Sequence, residues 1–152
     1  QYDELWKRTM DSLGLQLRIN LGQWPEQLKQ ARAGKLMMWG LGNAASEPDS
    51  DDFLSFGYGP DKGEGNFARF EHPAYDVLYE RQHVMPDGPE RLVTMQQAVK
   101  YLLAYMPYKF HVHPIINDLM HPWLTGFRRH AFKRDFWKYV DIDAAAQARA
   151  AR

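Results

Sequence analysis

The hydrophobic period of this chain switches back and forth across residues 1–41, and that alternation constrains the fold more than any other feature. Leu5, Trp6, Thr9, Met10 and Leu13 recur three or four apart, as on one face of a helix, and Gly14 follows where a left-handed C-cap fits. Leu15, Leu17, Ile19 and Leu21 then alternate with Gln16, Arg18 and Asn20, which is the period of a strand with one buried face. Trp24, Leu28 and Ala31 return to helical spacing, with Pro25 suited to a first turn and Gly34 to a stop. Leu36-Met37-Met38-Trp39-Gly40-Leu41 is short and apolar on both faces, as in an interior strand. The expected rhythm is therefore helix, strand, helix, strand, an α/β class.

Residues 42–65 are a different material, rich in glycine and acid and broken by Pro48 and Pro60. Asp49-Ser50-Asp51-Asp52 suits the cap of a short helix through Phe53 and Leu54, and the rest reads as loop. A long loop at the carboxyl end of a strand is where binding residues commonly sit in α/β folds. Helical spacing resumes after His72-Pro73 with Tyr75, Leu78 and Tyr79, and breaks at Met85-Pro86-Asp87-Gly88-Pro89. Leu92, Met95, Val99, Leu102 and Leu103 form the cleanest amphipathic stripe, which Pro107 ends. Residues 108–120 read as one or two strands interrupted at Pro114. The tail from Ala144 to Arg152 is rich in Ala, Arg and Gln with no apolar stripe, as in a frayed helix end or a disordered segment. No internal repeat stands out.

Composition narrows the function classes. Lys plus Arg and Asp plus Glu both number 19, so the formal net charge is zero. A nucleic-acid groove or an anionic membrane site calls for a surplus of positive charge, so neither is expected. The apolar runs fall short of the roughly 18 residues that cross a bilayer. The absence of cysteine excludes disulfides, thiolate metal sites and thiol catalysis, and leaves the compartment open. Gln1 opens directly on helical periodicity without Met, which reads as a removed leader or an internal start, and a fragment of a longer polypeptide is the expectation.

Several constellations carry possible chemistry. His111 and His113 share a strand face, with Asp118 and His121 nearby in sequence, so a zinc, copper or nickel site is one reading and a polar surface the other. Glu47, Asp49, Asp51 and Asp52 lack the ligand spacing of a calcium loop and fit a helix cap in a solvated loop. Gly57-Tyr58-Gly59-Pro60 and Gly63-Glu64-Gly65-Asn66 match no nucleotide fingerprint and read as turns. Arg128, Arg129, Lys133, Arg134 and Lys138 interleave with Phe127, Phe132, Phe136, Trp137 and Tyr139, whose aromatic rings are expected to bury against a partner segment. Trp39, at the strand end, can stack on a ligand or wedge two lobes together. Asn43 and Asn66 each suit a ligand hydrogen bond or a turn. No nucleophile elbow or phosphate loop is present.

Three stretches, in order, carry a resemblance. They are the opening helix with Leu13-Gly14-Leu15 and Trp24 through Gly34, then Met38-Trp39-Gly40-Leu41-Gly42 with Pro48-Asp49 beyond it, then Asn66 through Pro73-Ala74-Tyr75-Asp76-Val77-Leu78. The helix from Pro89 to Ala104 and Met106-Pro107-Tyr108 continue the pattern. Together they resemble the carboxy-terminal portion of extracellular solute-binding proteins of family 5, the dipeptide, oligopeptide and nickel binding components of ABC importers. The resemblance implies a periplasmic-binding-protein-like (type II) two-lobe α/β fold, with this chain its C-terminal part and most of the second lobe. Residues 1–108 would be the second-lobe α/β region, 109–143 crossover strands returning to the first lobe, and 144–152 a tail.

The resemblance also implies a binding protein and not an enzyme; no cofactor is expected, and no metal ligand is assigned, although the family has nickel-binding members. Its site would include Trp39, Gly40, Leu41, Asn43 and Asn66. Its partners would be the N-terminal portion of the same protein, an ABC permease in the membrane and a peptide-like or other small polar organic ligand, with no nucleic acid. The location would be periplasmic or otherwise extracytoplasmic, with a lipid anchor at the N-terminus as an option. The family loop often presents an Asp to a peptide's amino terminus; here the matched position is Ala44, and Leu41 replaces a second Trp. A buried ammonium without a counter-charge is costly, so a free peptide amino group is not expected to be read at this position. Two rival readings remain at this level: a metal-dependent hydrolase built on His111 and His113, and a self-contained interaction domain.

Overall fold

The computed structural model describes residues 2–150. Its helices are α1 (Tyr2–Asp11), α2 (Trp24–Arg32), α3 (Asp51–Leu54), α4 (Pro73–His83), α5 (Pro89–Tyr105) and α6 (Ala144–Ala150). Two short strands, β1 (Leu124–Thr125) and β2 (Asp141–Ile142), pair antiparallel, with Leu124 opposite Ile142 and Thr125 opposite Asp141. Short 3₁₀ turns cover Ser55–Gly57, Gly59–Asp61 and Phe136–Tyr139.

The helix punctuation follows the sequence signals. Pro25, Pro73 and Pro89 each stand in a first turn, where the missing N–H leaves no intrahelical bond unmade. Gly14 (φ 75°) and Gly34 (φ 68°) take the left-handed conformation just past α1 and α2. Around Gly34, Lys35 N–H donates to the Gln30 carbonyl at 2.9 Å and Gly34 N–H to that of Ala31 at 3.0 Å. This double return satisfies carbonyls that the helix end would otherwise orphan. Before Pro107, Met106 turns left-handed at φ 46° and closes α5, its N–H donating to the Leu102 carbonyl at 2.9 Å.

The core lies between α4, α5 and the short α3. Leu54, Tyr75, Met95, Ala98 and Leu102 are buried together, flanked by Phe70, Leu78, Tyr79 and Tyr101. The Tyr75 hydroxyl donates to the Leu54 carbonyl at 2.5 Å, which fixes α3 against α4. Gly57 passes so close that a Cβ there would lie 2.6 Å from the Tyr75 ring and 2.7 Å from a Leu102 methyl. Burial pushes the Tyr75 hydroxyl pKa well above its ordinary value, so the group stays a neutral donor. On α5 the inward face runs through Met95, Ala98 and Leu102, while Leu92, Val99 and Leu103 of the expected stripe remain exposed.

The strands are where the structure corrects the sequence reading. Residues 15–21, 36–41 and 108–120 form no strand, and the described sheet is the β1–β2 pair alone. The described fold is thus helix-rich with a small sheet, and not the helix–strand–helix–strand alternation expected for residues 1–41. The physical reason is that a strand is completed by its neighbour: each backbone N–H and C=O needs a partner across the ladder. Among the described residues no such neighbour lies beside these stretches, and apolar side chains in them stay exposed, Met37 at 96%, Ile115 at 91% and Leu119 at 96%. A trace of the period of two survives, since Leu17 and Ile19 are half-buried while Gln16, Arg18 and Asn20 are exposed. The tail over 144–152 is helical through Ala150 as α6, and its residues 151–152 lie outside the described residues, as does Gln1.

Candidate functional site

The candidate segment begins at an aromatic clamp. Trp39 stacks on Trp24 at the start of α2 with ring centroids 5.4 Å apart, and meets Phe67 edge-on at 5.5 Å. Each such aromatic pair adds about 0.5–1.5 kcal/mol beyond its area burial. Phe67 is presented by a turn that Asn66 organises. The Asn66 carboxamide donates to the carbonyls of Tyr58 at 3.0 Å and Phe70 at 2.8 Å, and accepts from Phe70 N–H at 3.1 Å. Asn66 is fully buried, so both amide protons are spent inside the chain.

The same turn grips the end of α2. Arg69, itself left-handed at φ 54°, donates from Nη2 to the Arg32 carbonyl at 2.5 Å. A guanidinium at a helix C-terminus meets both an open carbonyl and the negative end of the helix dipole. The α2 helix, the 58–70 turn and Trp39 are thereby tied into one assembly.

Beyond Trp39 the chain opens to solvent. Gly40, Leu41, Gly42, Asn43 and Ala44 are all exposed. A Cβ at Gly40 or Gly42 would meet nothing within 4 Å. Among the described residues the Asn43 side-chain oxygen accepts only from the adjacent Ala44 N–H, at 2.9 Å. Trp39, Gly40, Leu41 and Asn43 thus share one segment, while Asn66 lies behind it as an internal brace.

The acidic residues that follow are engaged within the fold. Asp49 receives a forked pair from Arg91, Nη1 to Oδ2 at 2.6 Å and Nη2 to Oδ1 at 3.2 Å. Those hydrogen bonds hold the Asp49 carboxyl below its ordinary pKa. Asp49 Oδ1 also accepts from Asp51 N–H at 2.9 Å, an Asx turn leading into α3, whose N-cap Ser50 makes no side-chain cap bond. Asp51 accepts from Gln82 and faces the His83 ring, and Asp52 accepts from both Ser46 N–H and Ser46 Oγ. In the glycine-rich turn, Gly59 N–H donates to Asp76 at 2.8 Å, so that backbone serves the fold.

The histidine reading fares differently. His111 stacks on Trp6 at 4.9 Å, His121 stacks on Trp123 at 4.2 Å, and Asp118 pairs with Arg129. Their partners lie in different places, and among the described residues no three His, Cys, Asp or Glu side chains gather as a metal would require. The interleaved basic–aromatic stretch packs Phe127 edge-on to Phe136 at 4.9 Å, while Trp137 and Tyr139 remain exposed. An apolar groove between α4 and α5, lined by Ala74, Val77, Leu78 and Tyr101, includes none of the expected site residues.

The sequence reading missed Trp24, Phe67 and Arg91 as parts of this site. Trp24 is visible only as a helix-face residue, and its pairing with Trp39 has no short-range signature. Arg91 opens a helix, where a basic residue gives no hint of a carboxylate 42 positions earlier.

Comparison with known proteins adds an independent line. Neither a family model nor a solved structure matches the chain. It is 24% identical over 143 residues to di/tripeptide-binding protein 2 of Pseudomonas aeruginosa strain UCBPP-PA14, covering 92% of this chain and 27% of the relative. It is 27% identical over 124 residues to the dipeptide-binding protein of P. aeruginosa strain PAO1, covering 81% of this chain and 23% of that protein. It is 25% identical over 122 residues to heme-binding protein A of Haemophilus influenzae strain Rd, covering 80% and 22%. The chain spans about a quarter of the length of the curated relatives it matches. No helix among the described residues is long and apolar enough to cross a membrane. The resemblance drawn from the sequence holds, and the chain is similar over most of its length to proteins named for binding peptides and heme.

Proposed function

We propose that this chain is the C-terminal part of the solute-binding component of an ABC importer, supplying most of the second lobe of a two-lobe fold. The similarity to peptide-binding and heme-binding relatives across nearly the whole chain carries this reading. Residues 1–108 form the second-lobe region and 109–143 return to the first lobe, which an N-terminal portion of the same polypeptide completes. The protein works outside the cytoplasm, passes its ligand to a membrane permease and makes or breaks no bonds. Ligand binding favours the closed arrangement of the lobes because that arrangement offers more contacts.

Trp39, Gly40, Leu41 and Asn43 form the ligand-facing edge. Support comes from the exposure of Gly40, Leu41 and Asn43 beside the half-buried Trp39, itself fixed in an aromatic pair, with open backbone at Gly40 and Gly42. Asn66 contributes indirectly, by fixing the turn that holds Phe67 against Trp39. Ala44 leaves no carboxylate for a peptide ammonium at that position, and Asn43 offers a neutral amide beside it. A second ligand class, a flat aromatic molecule such as heme, is favoured by the Trp24–Trp39 stack and by the heme-binding relative.

Isothermal titration of the full-length protein with dialanine, trialanine and haemin tests the reading. One of them is expected to bind stoichiometrically, and Trp39→Ala to weaken it about tenfold, the scale of one aromatic contact. Failure of all three, with a zinc-dependent hydrolysis lost on His111→Ala, contradicts it.

A further inference from the structure

The exposed candidate segment is fixed at two posts, and only one of them is aromatic. At its start stands Trp39 in the Trp24–Phe67 clamp. At its end the chain is braced by Ser46 on Asp52 and by Asp51 N–H on Asp49, and this braced turn is fastened to the helical core through Arg91. Between the posts, Gly40 and Gly42 meet no neighbour and Asn43 bonds only to Ala44.

Arg91 is built into this position. Its side chain is 12% exposed against 30% for Asp49. All the N–H groups a guanidinium can offer are in use. Nε donates to the Gln82 carbonyl at 3.0 Å, Nη1 to Asp49 at 2.6 Å and Asp87 at 2.8 Å, and Nη2 to Asp49 at 3.2 Å and Gln82 Oε1 at 3.2 Å. Gln82 is fully buried and reaches on to Asp51. A fork of this kind fixes direction as well as distance, which a lysine ammonium cannot do.

We propose that Arg91 is a positioning residue for ligand capture: through Asp49 it holds the Gly40–Asn43 segment in place without touching the ligand. This rests on the reading that the segment faces the ligand. Arg91 also braces α4 and the α4–α5 turn through Gln82 and Asp87, so a purely structural role must be separated from positioning. Asp49→Asn weakens the Arg91 tether while keeping an oxygen for the Asp51 N–H, whereas Asp87→Asn loosens only the exposed arm of the same guanidinium.

The test uses the full-length protein, with hydrogen exchange at residues 41–47 and titration of dialanine, trialanine and haemin. Asp49→Asn and Arg91→Lys are expected to speed exchange at Ala44 and Ser46, the amides of 41–47 that have acceptors, while α5 amides stay protected. Both are expected to lower affinity by about fivefold or more, the lower end of usual inter-site coupling. Asp87→Asn is expected to leave both readouts unchanged. Unchanged exchange at 41–47 in Asp49→Asn and Arg91→Lys overturns the proposal. So does an affinity that falls with Trp39→Ala and Asn43→Ala yet ignores Asp49→Asn. An affinity that ignores Trp39→Ala and Asn43→Ala as well, or wild-type protein that takes up none of the three probes, overturns the ligand reading and Arg91's part in capture with it.

Discussion

Asn66 and Trp39 show how one side chain can be legible in type and not in role. The sequence offers two uses for each Asn, a turn or a ligand bond, and the chemistry of the side chain is equal to both. What decides is the carbonyl of Tyr58 and the backbone of Phe70, which saturate the Asn66 amide. Asn66→Ala is therefore expected to lose about 1–3 kcal/mol of stability, because buried backbone groups go unpaired. Urea denaturation checks this, and an unchanged midpoint speaks against it. Trp39 is recognisable as the end of an apolar run, but Trp24 and Phe67 reach it only through folding. At Asp49, the Arg91 hydrogen bonds lower the folded pKa. A carboxyl whose folded pKa is depressed adds stability above its unfolded value of about 4, and that stability is lost as pH falls through the folded value. Measured relative to the intrinsic amide rate at each pH, protection at 41–47 is thus expected to fall on acidification before that of the α5 amides, and Asp49→Asn to remove that acid step.

At the scale of elements, helices were readable because their signals are local. Gly14 and Gly34 stop α1 and α2 where the periodicity predicts, and proline opens α2, α4 and α5. Gly34→Ala is expected to cost about 1–2 kcal/mol from the left-handed backbone alone. It also places a Cβ 2.9 Å from the Arg69 guanidinium carbon. The Trp24–Trp39 stack rides on α2, so its fluorescence is expected to shift with the melting point; a variant matching wild type in both refutes the account of this helix end. Strands were not readable to the same degree. Residues 15–21 and 36–41 carry strand patterns, yet a pattern specifies only which face wants burial and supplies no neighbour. The β1–β2 pair, by contrast, is too short for any periodicity to announce it.

At the scale of the molecule, one well-formed core coexists with long exposed apolar stretches. Leu54, Tyr75, Met95, Ala98 and Leu102 close on one another, while Phe110, Val112, Ile115, Ile116 and Leu119 stand in solvent. Apolar surface on this scale marks an interface or an association hazard. This chain by itself is expected to bind a hydrophobic dye and to associate, and a monomeric, cooperative melt would count against the two-lobe reading. On the two-lobe proposal the candidate site shares that dependence, for it presents one edge of aromatic and amide groups and would take its facing wall from the other lobe. The most direct test is hydrogen exchange of the full-length protein with and without a bound di- or tripeptide or haemin. Protection concentrated at residues 39–45 is the predicted result, and protection confined to other regions would contradict the account.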